Sequence, residues 1–473
     1  MNNITGLKNS FLKRYDLWII FAVTFAVFAF LKIHQFYSFT SINAEVIDWY
    51  ETTVWNFLQG KFFIANHNIP LFSEHFSPFI IFLVPFYALF RSPYVFIVIH
   101  ALACALPVIP LYLLAEKYFT YRFAPVAFCL AYFFSRIVNL GLMFDFHIEI
   151  FYPLLFLSAL LYIEKVRWNL VYVFLILALM IKEDASIAVI AIGIYIFFSK
   201  EKQKGIIISL IGLTWLLLTT QVIIPYYRAG IYGWGYGFLS YWSEYGNTQK
   251  DIFLNMFNPV KHIQVLFTGA KMQSTFNFFS VYLFLPFFAP LAFLLLVLPQ
   301  WFLLYSSGNT MMFNVVNYYG YLSLPFLFYT CILGFKNIEK KVHKKYFIIS
   351  ILILLVIVNA ANSRYYKLFF QDSMKKKARY EVVEKIIENI PPQSSITAQA
   401  NLVGHIPPGE NRVFFPQNIN ESELILLDLE GAKWPLSDSD YKQCVDTLLN
   451  NINFRVIENN SSFLYIENLQ VKK

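Results

Sequence analysis

Residues 170–181 read LVYVFLILALMI and residues 185–198 read ASIAVIAIGIYIFF; between them stand three consecutive charges, Lys182-Glu183-Asp184. Apolar runs of this kind suit a bilayer, and adjacent charges set between them are costly even at the interface, which by default marks them as functional. Such runs recur along the chain. Of its 473 residues 58% are hydrophobic and 14% charged, against ~45–50% and ~25% in a soluble domain. A water-soluble fold of this size cannot bury so much apolar surface. Aromatic residues at 19% exclude disorder, and the four cysteines show no paired spacing, which excludes a disulfide scaffold or cysteine metal site. The net charge is +8, but the basic residues gather in short clusters between apolar runs. That is the pattern of membrane topology, with no sign of nucleic-acid binding.

The expected fold is therefore mainly α, a polytopic helical membrane protein with a small C-terminal α/β domain. An uncleaved first span follows Lys8, Lys13 and Arg14. If the Pro-containing run 76–90 only dips into the outer interface, every basic cluster falls on the cytoplasmic side: Lys117 and Arg122, Lys165 and Arg167, Lys200 to Lys204, and 336–345. About eleven spans result: 17–35, 94–114, 123–141, 150–164, 168–182, 185–199, 205–225, 275–289, 290–306, 318–335 and 346–361. The transmembrane domain then covers 1–361, with outer loops 38–92 and 226–274, its N-terminus in the cytoplasm. Residues 362–473 form an extracytoplasmic domain with helices near 374–389 and 438–449. Strands are expected at 395–399, 412–415, 423–429 and 454–467.

This topology places Glu45, Asp48, His75, Asp145, His147, Glu149, Lys182, Glu183 and Asp184 at similar depth near the outer face. Glu45 and Asp48, three apart, share a helix face and suit a general base or a metal ligand. His75 suits acid–base work or a phosphate contact. Asp145, His147 and Glu149 alternate, so an extended segment would project them to one side. Carboxylates and an imidazole so placed suit a divalent cation (Mg2+ or Mn2+, on Asp145 and Glu149) or proton transfer. The plain alternative is a polar helix end wetted by interfacial water. Lys182 suits an anionic group such as phosphate, with Glu183 and Asp184 joining the site; a hairpin exposing all three charges is the competing reading. The Gly- and aromatic-rich loop after 226 suits sugar stacking or interfacial anchoring, with Arg228 as a phosphate contact. Nucleotide-loop, serine-hydrolase, zinc-protease and haem motifs are missing.

An ordered set of short motifs resembles the membrane family known as domain of unknown function 2079. The set is Trp55 to Gly60, His75-Phe-Ser-Pro78, Phe146-His-Ile-Glu149, Lys182-Glu-Asp184, Pro286–Pro299, Asn317–Pro325, Ile390-Pro391, Arg412-Val-Phe-Phe-Pro416 and Leu427-Asp428. The family pattern places Asp and Gln ahead of the Trp, whereas this chain has Glu45-Val-Ile-Asp48-Trp-Tyr-Glu51. The family in turn looks like a distant relative of GT-C-type glycosyltransferases. The resemblance implies transfer of a sugar from a polyprenyl-phosphate donor to a glycan, lipid or protein acceptor, at the outer face of a prokaryotic plasma membrane. Asp48 or Glu45 would be the base, Lys182 with His75 or Arg228 the phosphate ligands, and Asp145, His147 and Glu149 the acceptor or cation ligands. Membrane lipid is an implied partner. The competing readings are a transporter or lipid flippase with a charged intramembrane path, and a non-catalytic envelope protein whose outer domain binds a partner.

Overall fold

The computed structural model describes residues 15–40, 47–65, 68–121, 123–231, 237–342, 344–365, 377–391, 393–407 and 412–471, with the backbone alone at a few positions, Asp48 included. Helices dominate, as they must where every backbone N–H and C=O has to be satisfied within its own segment. Among the described residues four helices are long and apolar enough to cross a bilayer: Tyr15–Tyr37, Tyr94–Tyr118, Lys202–Arg228 and Lys345–Asn362. The pair Phe123–Phe134 and Arg136–Met143, bent by 44°, adds a fifth if it is one span. The break falls at Ser135, where ψ swings to 130°.

Pro78–Phe90, Trp168–Leu179, Ala185–Ser199 and Pro290–Tyr305 are apolar but shorter. A 12-residue helix such as Trp168–Leu179 rises ~18 Å, short of a ~30 Å hydrocarbon core. The expected eleven spans include the last three of these runs, while Pro78–Phe90 is expected only to dip into the interface; length and composition by themselves support four or five. Two further expected spans are not continuous helices. Across 275–289, helix Gly269–Ser280 gives way to a turn with Leu283 and Phe284 at φ 53° and 54°, then to Leu285–Phe288. Pro286 and Pro290 lack the N–H that an unbroken helix requires. Across 318–335, helix begins only at Leu324.

The core is built on Tyr152–Glu164, buried along nearly its whole length, which packs on Leu324–Lys341 and on Trp168–Leu179. Peripheral helices differ sharply: only 17% of the apolar window in Lys202–Arg228 is buried, against 67% in Tyr94–Tyr118. The exposed face of the former carries Ile206, Ile207, Leu210, Leu213 and Leu217. A surface of that composition is matched to lipid. Ala185–Ser199 and the N-terminal half of Lys202–Arg228 are the most intimately packed pair. Their backbones nearly touch: a Cβ on Gly205 would lie 2.5 Å from Phe197 N, and one on Gly193 2.5 Å from Ser209 N. Small residues are what permits such closeness between membrane helices.

The C-terminal unit is a five-stranded mixed sheet, β1 (Ile396–Ala398), β2 (Arg412–Phe414), β3 (Leu424–Asp428), β4 (Phe454–Asn459) and β5 (Phe463–Asn468), in the order β2-β1-β3-β5-β4. β1 runs parallel to β2 and β3; β5 is antiparallel to β3 and β4. The expected single strand at 454–467 is a hairpin, turned where Asn460 Oδ1 accepts from the N–H groups of Ser462 and Phe463. β3 is buried on both faces. Leu424 and Leu426 pack with Tyr380, Val383 and Ile386 of helix Lys377–Glu388, while Ile425 and Leu427 pack with Tyr441, Val445 and Leu448 of helix Asp438–Asn450. Ser437 caps the latter helix by accepting from Asp440 N at 3.2 Å.

The glycine contact yields a test. Gly205→Val drives side-chain atoms into backbone that cannot yield and is expected to cost about 2 kcal/mol or more. Gly230→Ala, at a position with nothing within 4 Å of the new Cβ, is expected to leave thermal unfolding in detergent unchanged.

Candidate functional site

Three segments supply the polar groups. The first enters the site at His75, just before the run Pro78–Phe90, and Phe79 N donates to Met180 O at 3.0 Å. The second follows helix Arg136–Met143, whose last carbonyls would be orphaned by the extended backbone at Phe144–His147. Lys32 Nζ donates to Phe144 O at 2.8 Å and Gln35 Nε2 to Met143 O at 2.6 Å, both from helix Tyr15–Tyr37. A 3-10 turn, Ile148–Phe151, then leads into Tyr152–Glu164. The third segment is the Lys182–Asp184 turn between two apolar helices.

The three charges of that turn diverge, each to a different segment. Lys182 Nζ donates to Glu149 Oε1 at 3.1 Å. Glu183 meets His75 Nδ1 at 2.8 Å and accepts from Phe76 N at 3.2 Å. Asp184 accepts from Tyr152 OH at 2.5 Å. Glu149, Glu183 and Lys182 are all largely buried. The hairpin that exposes all three charges is thus not what forms. Burial raises a carboxyl pKa and an adjacent cation lowers it. For Glu183 burial is outweighed by His75 and Lys182, and its pKa falls to about 2. For Glu149 burial is outweighed by Lys182 and His147, and its pKa is lowered. For Asp184 burial wins over Lys182 and its pKa rises to about 6. Burial holds His147 down at about 4, so the imidazole is neutral at physiological pH.

His75, Glu149, Lys182 and Asp184 line one cavity of about 90 Å3, walled by Tyr152, Tyr241, Trp242, Leu303, Leu304, Met312, Tyr318, Tyr319 and Leu322. Glu149 Oε2 is buried and accepts no hydrogen bond from the described residues. His147 stacks on Tyr318 with ring centroids 3.9 Å apart, and Lys182 Nζ stands 5.9 Å from the same ring's centroid. Tyr241 O accepts from Gly308 N at 2.7 Å and Trp242 Nε1 donates to Ser306 Oγ at 3.2 Å, which fixes that wall.

Of the candidates from sequence, four thus line the cavity, while Glu183 and His147 back its walls. Asp145 and Arg228 are not among its lining. The extended backbone ends at His147, so Asp145 and Glu149 do not share a side: Asp145 is buried within electrostatic reach of Lys32, whereas Glu149 faces Lys182. Arg228 Nη1 donates to Ser73 O at 3.3 Å. Glu45 and the Asp48 side chain lie outside the described residues. Glu51, in the same first-loop stretch, is fully buried against Arg412 and Tyr87. For the cation expected on Asp145 and Glu149 the donors do not fit: each carboxylate has its own lysine neighbour. Among the described residues no group of three His, Cys, Asp or Glu is arranged to hold an ion. The residues that sequence reading did not name singly are aromatic: Tyr152, Tyr241, Trp242, Tyr318 and Tyr319, of which Tyr241 and Trp242 lie in the aromatic-rich loop after 226. Tyr318 and Tyr319 do fall within the motif Asn317–Pro325.

Residues 48–464 match the family model described as "Predicted membrane protein (DUF2079)", and the chain belongs to that family. No curated protein matches the sequence. Among solved structures the fold resembles ArnT from Cupriavidus metallidurans in the apo state, with a TM-score of 0.52 at 9% identity, over 93% of this chain and 97% of that one. At that identity the likeness is one of fold.

The raised Asp184 pKa has a signed consequence. Between its ordinary value of 3.8 and about 6 the folded state holds the proton more tightly than the unfolded state. Stability from this group is therefore present at low pH and lost as pH rises through that window, on the order of 3 kcal/mol. Asp184→Asn is expected to raise Tm relative to wild type more at pH 8 than at pH 5; an equal difference at both would contradict the assignment.

Proposed function

We propose that this protein is a GT-C-type glycosyltransferase that moves a sugar from a polyprenyl-phosphate donor at the outer face of a prokaryotic plasma membrane. The observation that carries the reading is the cavity itself. Four ionisable groups from three distant segments converge there beside a wall of four tyrosines and a tryptophan. Aromatic faces stack on sugar rings, and carboxylates accept from sugar hydroxyls. The match to a predicted membrane protein family and the likeness of fold to ArnT are in keeping with this class.

In this reading the acceptor O–H attacks the anomeric carbon as the bond from that carbon to the phosphate oxygen breaks. The proton passes to a first-loop carboxylate, Asp48 or Glu45, and polyprenyl phosphate departs. Lys182 and His75 stabilise the charge that develops on the phosphate. Lys182 would turn from Glu149 toward the leaving group, which releases Glu149 to hold a sugar hydroxyl together with its free Oε2. Asp184, with a pKa of about 6, stands beside them as a second proton acceptor. No step is routed through a metal ion. The 90 Å3 cavity is below the ~300 Å3 of an ordinary ligand site. Substrate entry therefore requires the cavity to widen.

A flippase would need a polar path across the bundle. Helix Tyr152–Glu164 has Glu149 just before its start and Glu164 at its end, the latter held by Lys117 and Lys200 at 2.8 Å each. Leu155, Phe156, Leu157, Leu160 and Leu161 are buried between them. That dry layer favours the enzyme.

The test is the pool of lipid-linked sugars. Cells lacking the gene are expected to accumulate one polyprenyl-phosphate sugar by mass spectrometry, cleared by wild type but not by Lys182→Met or Asp48→Ala with Glu45→Ala. In vitro, Lys182→Met is expected to lower kcat about 100-fold, the scale of one lost charge-stabilising donor. An unchanged lipid pool in the deletion, or full activity of Lys182→Met, would overturn the proposal.

A further inference from the structure

We infer that the C-terminal α/β unit clamps the turn Ile47–Glu51, with Arg412 as a positioning residue for the backbone at Asp48. The inference rests on the reading of Asp48 as a candidate base. At the start of the loop, Phe39 stacks on Tyr380 and on His405, at centroid distances of 4.5 and 3.7 Å, and Phe36 stacks on the same His405 at 4.0 Å. Phe39 belongs to the apolar core of the α/β unit, with Val383 and Leu426. Burial depresses the His405 pKa to about 3, so this stack stays uncharged.

At the turn itself, Glu51 is wholly buried and accepts from Arg412 Nη2 at 2.5 Å and from Tyr87 OH at 3.0 Å. Arg412 is 2% exposed, and its Nη1 donates to Ile406 O at 2.6 Å. It opens β2, in register with Ile396 of β1, so its base is rigid. Tyr87 sits on the run Pro78–Phe90 that also follows His75. One carboxylate thus ties the first loop, the run behind His75 and the soluble sheet together, across 361 residues of sequence.

A buried ion pair is a poor source of net stability, because desolvation cancels most of the attraction; its strength lies in fixing one geometry. The pair closes the turn Ile47–Glu51, on which Asp48 stands. The turn Ile47–Glu51 is therefore held in place from the soluble unit, and a change in that unit is felt at the Asp48 backbone without contact to substrate.

The test uses the full chain in nanodiscs of phosphatidylethanolamine and phosphatidylglycerol, with hydrogen exchange and transfer kinetics read on the same samples. Arg412→Gln is expected to speed exchange about tenfold over 47–58 while that of Tyr152–Glu164 stays unchanged. It is expected to lower kcat about tenfold with KM for the lipid donor within about twofold, and Arg412→Lys to recover part of the loss. Glu51→Gln should act alike, and the double variant should be no worse than the worse single. If Arg412→Gln does not fold, Tyr87→Phe, which keeps the ion pair, should give the same local pattern at smaller amplitude. Unchanged exchange over 47–58, additive effects in the double variant, or a uniform rise through the bundle would overturn the clamp. A wild type that transfers no sugar overturns the proposed function instead, and the exchange pattern then decides the clamp by itself.

Discussion

Three adjacent charges between two apolar helices have to be paid for, and the Lys182–Asp184 turn shows how. Lys182, Glu183 and Asp184 find Glu149, His75 and Tyr152, each on a different segment. Removal of an ion from water is repaid only by close partners of opposite charge or by hydrogen bonds. The turn therefore fixes where the run behind His75 docks and how the chain enters Tyr152–Glu164. The cavity is a by-product of these pairings: groups gathered to neutralise one turn leave a pocket lined by the same charges.

The same logic operates at the other end of the central helix. Glu164 binds Lys117 and Lys200 and accepts from Tyr329 OH at 3.0 Å. Between these polar knots the packing is aliphatic and aromatic, and outside them the peripheral helices show lipid a face of Leu, Ile and Phe. Charge confined to the ends of an apolar bundle is the arrangement expected when the surrounding solvent is hydrocarbon.

Much of this was legible in the sequence. The apolar runs located the long helices, and alternation with turn residues located the sheet and its two helices. Lys182, Glu149 and His75 stood out because charges near spans are rare and costly. The aromatic walls did not stand out, since in a chain with 19% aromatic residues one more tyrosine carries no signal. The direction of Asp145 was misread because alternation holds only while the backbone stays extended, and the 3-10 turn at Ile148 ends it. The Glu51–Arg412 pair was invisible for another reason: its partners are far apart in sequence, and a motif such as Arg412-Val-Phe-Phe-Pro416 does not say which distant residue it meets. The proline-broken stretch 281–297 defeated a hydropathy reading, which sees apolar length but not missing N–H groups.

The central claim is that this cavity receives the phosphate end of a lipid-linked sugar. The most direct measurement is an experimental structure of the full chain in lipid nanodiscs with a polyprenyl-phosphate bound. The account predicts the phosphate within hydrogen-bonding reach of Lys182 Nζ, the Lys182–Glu149 pair opened, and the cavity widened. A phosphate seated elsewhere, with the Lys182–Glu149 pair intact, would contradict it.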